Sequence, residues 1–243
     1  MQEFPKISRM GERAILLQFE PEISEKVLKK VLAYQKILQE KILKEGVEVI
    51  NTYNSLLITY NTAIEITYDG FLQLKEELER TKIQDNFKSH LFHIPVCYDQ
   101  KFGIDLQEIS QAKELQIREI IGLHSTALYT VYFTGFLPGF LYLGGLPEEL
   151  HFSRREHPRL EVPKGAVGIG EKQTGIYPQK SPGGWNIIGN SPVPLFDPYL
   201  DPPCEIKAGD KMRFYEVSLE EHQEILEVVE KGEFKFRKEE YDG

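Results

Sequence analysis

The spacing of apolar residues along the first hundred positions changes character several times, and each change marks an element. In RAILLQF, residues 13–19, apolar residues run almost continuously over a strand's length, which predicts a first strand. Across PEISEKVLKKVLAYQKILQEKILKEG, residues 21–46, Val27, Val31, Tyr34 and Leu38 recur three or four apart, Leu28 and Leu32 widen the stripe, and Gly46 stands as a stop. That is the pattern of a long amphipathic helix. VEVINTY (47–53) and SLLITYN (55–61) read as two strands joined by a short Asn-containing turn. Asp69 is placed to cap a second helix over GFLQLKEELERT (70–81), and the polar KIQDNFKSH (82–90) reads as a linker. LFHIPVCYD (91–99) is a further strand, whose Pro95 suits a sheet edge or a strand end. Strand, helix, strand, strand, helix is the order of a split β-α-β arrangement, so an α+β domain is expected over residues 1–88.

From residue 89 the pattern differs. DLQEISQAKE and QIREIIGLHST are two short helices leading into the strand LYTVYFTGF. VPKGAVGIG, QTGIYP, WNIIGN, PVPLFD, CEIKAGD and KMRFYEV then follow as short apolar runs punctuated by Gly and Pro, which predicts a closed or nearly closed β-barrel over 89–217. SPGG, residues 181–184, reads as a turn before Trp185, the single tryptophan. Ser218 and Glu221 have capping-box spacing, so residues 218–243 should form a terminal helix followed by a charged tail expected to lack order.

Composition narrows the class. The 243 residues carry 38 acidic and 29 basic side chains, a net charge of -9, and such a surface repels phosphate backbones and anionic lipid. Nucleic acid and membrane are therefore not expected partners. Residues 120–147 contain no Asp, Glu, Lys or Arg, but their interspersed Gly, Pro and polar residues would leave backbone groups unsatisfied in lipid. Cys97 and Cys204 form no cluster with each other or with His, so neither a disulfide framework nor a zinc site is expected. With no apolar leader in MQEFPKISRM, a cytoplasmic location is the expectation.

Familiar catalytic templates fail on spacing. Gly170 to Gly175 begins like a phosphate-binding loop, but Ile176-Tyr177 stands where Lys-Ser/Thr is required. Gly168-x-Gly170 has no third glycine at 173, so a dinucleotide fingerprint fails as well. Neither a Gly-x-Ser-x-Gly elbow nor a His-Glu-x-x-His helix occurs, and His151 and His157 lie among arginines that repel cations; no metal is expected on this chain.

Three segments remain: GFLPGFLYLGGL (135–146), RREHPRLEVPKGAVGIG (154–170) and QTGIYPQKSPGGW (173–185). Arg154, Arg155, Arg159 and Lys164 gather four cations within eleven residues of an acidic chain, a basis for a carboxylate or phosphate pocket. His124 falls on the apolar face of its helix, where a core position is the first reading; its titration near neutral pH keeps it as a candidate catalytic group. Phe136, Phe140 and Tyr142 read first as core, and their Gly-Pro-Gly setting makes a partner-binding loop the rival.

Taken together, GERAILLQF, LHS at 123–125, FTGFLPGFLYLGGLP, PR-x-x-VPKGAVGIG and QTGIYPQKSPGGWNIIG resemble the 5-oxoprolinase B-subunit family, which includes allophanate hydrolase subunit 1 and KipI-like proteins. The resemblance runs over nearly the whole chain; Glu20 and the Glu171-Lys172 pair depart from the usual pattern. It implies a cyclophilin-like β-barrel for the second part and two 5-oxoprolinase partners, a C-type subunit of similar fold and a metal-dependent A-type subunit. It also implies ATP-dependent opening of 5-oxoproline to glutamate by the complex, with ATP bound at the level of the complex. A lactam is a poor electrophile, and phosphorylation of its oxygen supplies a leaving group. On this footing His124, Arg159 and Gln173 are candidate catalytic residues. Arg155, Lys164, Thr174, Tyr177, Ser181 and Trp185 are candidates for substrate binding, with Trp185 as a wall against water. The alternative the resemblance allows is a regulator that binds a sensor histidine kinase and blocks its autophosphorylation.

Overall fold

A computed structural model describes residues 5–41, 47–63, 76 and 88–242. The chain divides into two compact units, residues 1–87 and 88–243. Apart from Glu76, the helix expected over 70–81, its cap Asp69 and residues 82–87 of the expected linker lie outside the described residues.

The described residues of the first unit form a four-stranded antiparallel sheet in the order β1-β2-β4-β3, built from β1 (Lys6–Met10), β2 (Ala14–Gln18), β3 (Val47–Asn51) and β4 (Ser55–Tyr60). Helix α1 (Glu25–Lys41) connects β2 to β3, so that both flank β4. It starts four residues later than the segment 21–46 read as helix, because the Ser24 hydroxyl accepts the Val27 amide N–H and closes the first turn there. Val27, Val31, Tyr34 and Leu38 pack with Ile15, Leu17, Phe19, Leu56 and Ile58 into one core. Strand β1 is not legible in the pattern: four of its five residues are exposed, so no alternation marks it, and Gly11, at a φ of 63°, turns it into β2.

The second unit is a mixed α/β structure on a curled, half-barrel sheet. Eight strands run in the order β12-β9-β10-β7-β6-β13-β5-β14. They are β5 (Ser89–Val96), β6 (Tyr129–Thr134), β7 (Leu141–Gly144), β9 (Ala166–Gly170), β10 (Gln173–Ile176), β12 (Asn186–Asn190), β13 (Lys211–Glu216) and β14 (Arg237–Tyr241); β8 (Arg159–Val162) and β11 (Ser181–Gly183) form a separate pair. The curl brings the end of β12 back to the end of β5, where Cys97 and Asn190 exchange two backbone hydrogen bonds of 2.9 Å. Helices α2 (Leu106–Lys113), α3 (Ile117–Thr126) and α4 (Leu219–Glu230) complete the unit, α4 starting at the expected Ser218/Glu221 capping box.

Several segments depart from what the pattern predicts. Strand β5 is interior, parallel to β13 and antiparallel to β14; Pro95 is tolerated because it lies beyond His93, the last residue that β14 covers. The charged tail does not lack order, for its residues 237–241 are β14, laid along β5 with Phe236 edge-on to Phe92 at 5.8 Å. PVPLFD (192–197) and CEIKAGD (204–210) are loops; in the first, Pro192 and Pro194 remove amide donors that a ladder needs. Ser181–Gly183, expected as a turn, is a short strand against β8.

Candidate functional site

Glycine spacing on β9 and β10 decides where the tryptophan goes. A Cβ at Gly170 would lie 2.5 Å from Trp185 Cδ1, one at Gly168 would lie 3.1 Å from its Cβ, and one at Gly175 would lie 3.2 Å from its Cζ3. The three glycines that mimic nucleotide-binding fingerprints are thus a flat floor on which the indole rests. Trp185 is only 4% exposed and packs with Phe140, Val162, Ala166, Tyr177 and Ile187. Phe140 meets it edge-on at 5.5 Å and 75°, and meets Tyr177 at 5.5 Å and 80°.

The free side of this cluster is a cavity of about 260 Å³ lined by Phe136, Phe140, Tyr142, Arg154, Pro158, Tyr177, Pro182, Gly183, Gly184 and Trp185. The aromatic loop and the Trp185 segment, far apart in sequence, therefore meet. Phe136 stands at the rim, 61% exposed and at a φ of 65° that few bulky residues adopt. Tyr142 stacks on Phe133 at 4.3 Å. Burial raises the Tyr177 phenol above its ordinary range, while a backbone hydrogen bond from Trp185 and the charges of Arg154 and Arg159 pull it the other way.

Other predicted site residues are placed elsewhere. Asp105, 3% exposed at the start of α2, accepts two hydrogen bonds from Arg159 (2.9 and 2.6 Å), one from Arg155 (3.1 Å) and one from the Ile187 backbone N–H (2.6 Å). Arg155 also meets Glu108 at 3.0 Å. Both arginines, expected to hold a ligand, are committed to carboxylates of this chain, because a buried aspartate demands partners. Lys164 is exposed in the turn between β8 and β9, and Gln173 is half-buried in the β9–β10 hairpin; neither lines the cavity. Ser181 is buried, with its hydroxyl on the Pro182 carbonyl at 3.1 Å, while the three residues after it line the cavity.

His124 and Thr174 are both fully buried and bonded to each other. The Thr174 hydroxyl donates to the Gly168 carbonyl (3.0 Å) and so accepts from His124 Nε2–H (2.8 Å), which leaves Nδ1 to accept from the Tyr98 hydroxyl (2.7 Å). The imidazole stacks on Phe214 at 4.6 Å, and burial lowers its pKa to about 3. A histidine so enclosed is a neutral structural member, out of reach of a ligand in the cavity. Among the described residues no group of His, Cys, Asp and Glu could hold a metal ion. No helix among them is long and apolar enough to cross a membrane.

The residue that sequence reasoning undervalues is Arg154. In the sequence it is one of four clustered cations, yet it is the one whose guanidinium stands at the cavity, 5.7 Å from the Trp185 ring centroid. Only its neighbours' pairing with a distant aspartate singles it out.

Residues 5–206 match the family described as carboxyltransferase domain, subdomain C and D. Three curated relatives, 33%, 37% and 38% identical over 91%, 84% and 84% of this chain, are each named as the B-type subunit of 5-oxoprolinase. The chain belongs to the 5-oxoprolinase B-subunit family. The relative from Bacillus subtilis (strain 168) aligns over 97% of its own length, and those from Escherichia coli O157:H7 and Haemophilus influenzae over 93% and 94%. Among solved structures, TTHA0988 superposes with a TM-score of 0.73 at 33% identity, covering 85% of this chain, which spans 40% of that longer one. Urea carboxylase from Kluyveromyces lactis superposes with a TM-score of 0.78 at 20% identity over 97% of this chain and 24% of its own, a likeness of fold alone. The family segments quoted from the sequence fall on β2, on the end of α3, on the β6–β7 connection and on β8 to β12, and those on the β6–β7 connection and on β8 to β12 contribute residues to the cavity.

Proposed function

We propose that the chain is a component of a hydrolase complex, a 5-oxoprolinase, that opens the lactam of 5-oxoproline to glutamate with ATP hydrolysis. The observation that supports this best is the near full-length likeness to three relatives named as the B-type subunit of that enzyme. A lettered component implies companions, and those proposed are a C-type subunit of related fold and a metal-dependent A-type subunit. In the same reading the second unit is a cyclophilin-like barrel, closed at the Cys97–Asn190 bridge, and the first a split β-α-β sandwich in which β2 and β3 flank β4. Two free cysteines suit a cytoplasmic setting.

The residues of this chain do not fit an ATP phosphate cradle. The indole of Trp185 occupies the space over Gly168, Gly170 and Gly175, and the cavity is smaller than the ~300–1,000 Å³ typical of drug-sized ligands. ATP is therefore assigned to the companion subunits. What this chain contributes is an aromatic enclosure that holds a small polar ring and keeps water from it. No feature of the described residues favours the kinase-inhibitor alternative.

Combining the purified chain with its A-type and C-type companions and following 5-oxoproline-dependent ADP release tests the reading. Turnover should require all three proteins, and the single chain should show none. Undiminished turnover without this chain, or robust turnover by this chain alone through repeated chromatography, would defeat it.

A further inference from the structure

The lining of the Trp185 cavity contains no Asp or Glu, and Arg154 is its charged member, in a chain of net charge -9. Such a site repels cations and concentrates anions. Arg155 and Arg159 are neutralised by Asp105 and Glu108, whereas the Arg154 guanidinium pairs with no carboxylate among the described residues. Glu171 accepts from the Arg154 backbone N–H at 3.4 Å rather than from its side chain. Its Cζ stands over the indole at 5.7 Å from the ring centroid, and a guanidinium without a carboxylate partner has N–H groups to offer a carboxylate's two oxygens. Facing it are the rings of Phe140, Tyr142 and Trp185, and a space of about 260 Å³ has room for a single small ring.

We propose that this cavity binds a small ring-bearing carboxylic acid, with the carboxylate on the Arg154 guanidinium and the ring against Trp185 and Phe140. The choice of 5-oxoproline as that acid rests on the reading above; the chemistry of the site does not. Arg154 is thus the residue that distinguishes an acid from a neutral lactam of the same shape.

Trp185, the single tryptophan, reports on its own cavity. Titrating the full chain with 5-oxoproline should change its fluorescence saturably, and cyclopentanecarboxylate, which keeps ring and carboxylate without the lactam, should do the same. 2-Pyrrolidinone, the lactam without the carboxylate, should bind roughly tenfold more weakly or worse. Arg154→Gln should weaken both acids by roughly ten- to a hundredfold and leave 2-pyrrolidinone unchanged, with Arg154→Lys between. Lys172→Gln, an exposed charge in the adjoining hairpin, should change the affinities less than about twofold. Equal affinities for acid and neutral lactam in the unaltered chain overturn the proposal, as does unchanged acid binding by the folded Arg154→Gln chain. Absence of saturable binding by either acid, while the assembled complex still turns over, defeats the site and leaves the reading of the chain as an enzyme component standing. Acid binding that follows Arg154 in a chain without effect on complex turnover supports the site and defeats that reading.

Discussion

Gly170 and Gly122 are the same residue under opposite constraints. A methyl group on Gly170 would fall 2.5 Å from the Trp185 ring, whereas nothing lies within 4 Å of one added to Gly122 on α3. Gly170→Ala should therefore cost ~1–3 kcal/mol by overpacking and shift the tryptophan emission, while Gly122→Ala should add up to ~1 kcal/mol through helix propensity. Urea denaturation of both variants checks the pair; equal effects would show that the indole does not rest on a glycine floor. His124 makes a second residue-scale prediction. Its pKa is lowered from 6.5 to about 3 by burial, so between those values the unfolded chain binds the extra proton and stability falls as the pH falls. From pH 6.5 to 5 this group alone should remove about 1.5 kcal/mol, and the lowered pKa of His222 acts in the same sense. In His124→Gln the loss over that interval should shrink by a similar amount. An unchanged slope would mean that the imidazole is not buried neutral. The hydropathy of α3 already points to this histidine as core, but its partners on β10 and at Tyr98 cannot be read from local spacing.

At the scale of elements, long amphipathic stripes are legible in the sequence and short exposed strands are not. Helices α1 to α4 reveal themselves because their apolar period is local, and α4 also because of its Ser218/Glu221 capping box. Strand β14 reads as a charged tail, RKEEY, because only its pairing with β5 makes it a strand. It covers one edge of β5 and is anchored by Phe236 on Phe92 and by Lys238 on Glu205 at 2.6 Å. A chain ending at Gly232 should leave uncovered an edge of β5, a strand rich in buried residues, lowering the urea midpoint and raising concentration-dependent light scattering. A truncated chain as stable and as monodisperse as the intact one would show that β14 contributes nothing to the sheet.

For the molecule as a whole, the described residues of each compact unit form hydrophobic cores of their own: one around α1 in the first, and two in the second, of which one surrounds Trp185. Residues 88–243 expressed alone should therefore melt cooperatively and keep the emission of a buried tryptophan. A fragment with no transition would mean that the second unit cannot form without the first. The sequence alone determined the two-part division of character, the helices, most strands, the aromatic and glycine blocks and the family they resemble, because periodicity, turn chemistry and motif order are properties of neighbours along the chain. Tertiary structure alone decided which cations are available. Asp105 lies roughly fifty residues before Arg155 and Arg159, and only the fold brings its buried carboxylate to them and leaves Arg154 at the cavity. It also decided that Gly168, Gly170 and Gly175 carry an indole rather than a phosphate, since a glycine's missing Cβ shows that something approaches closely but not what.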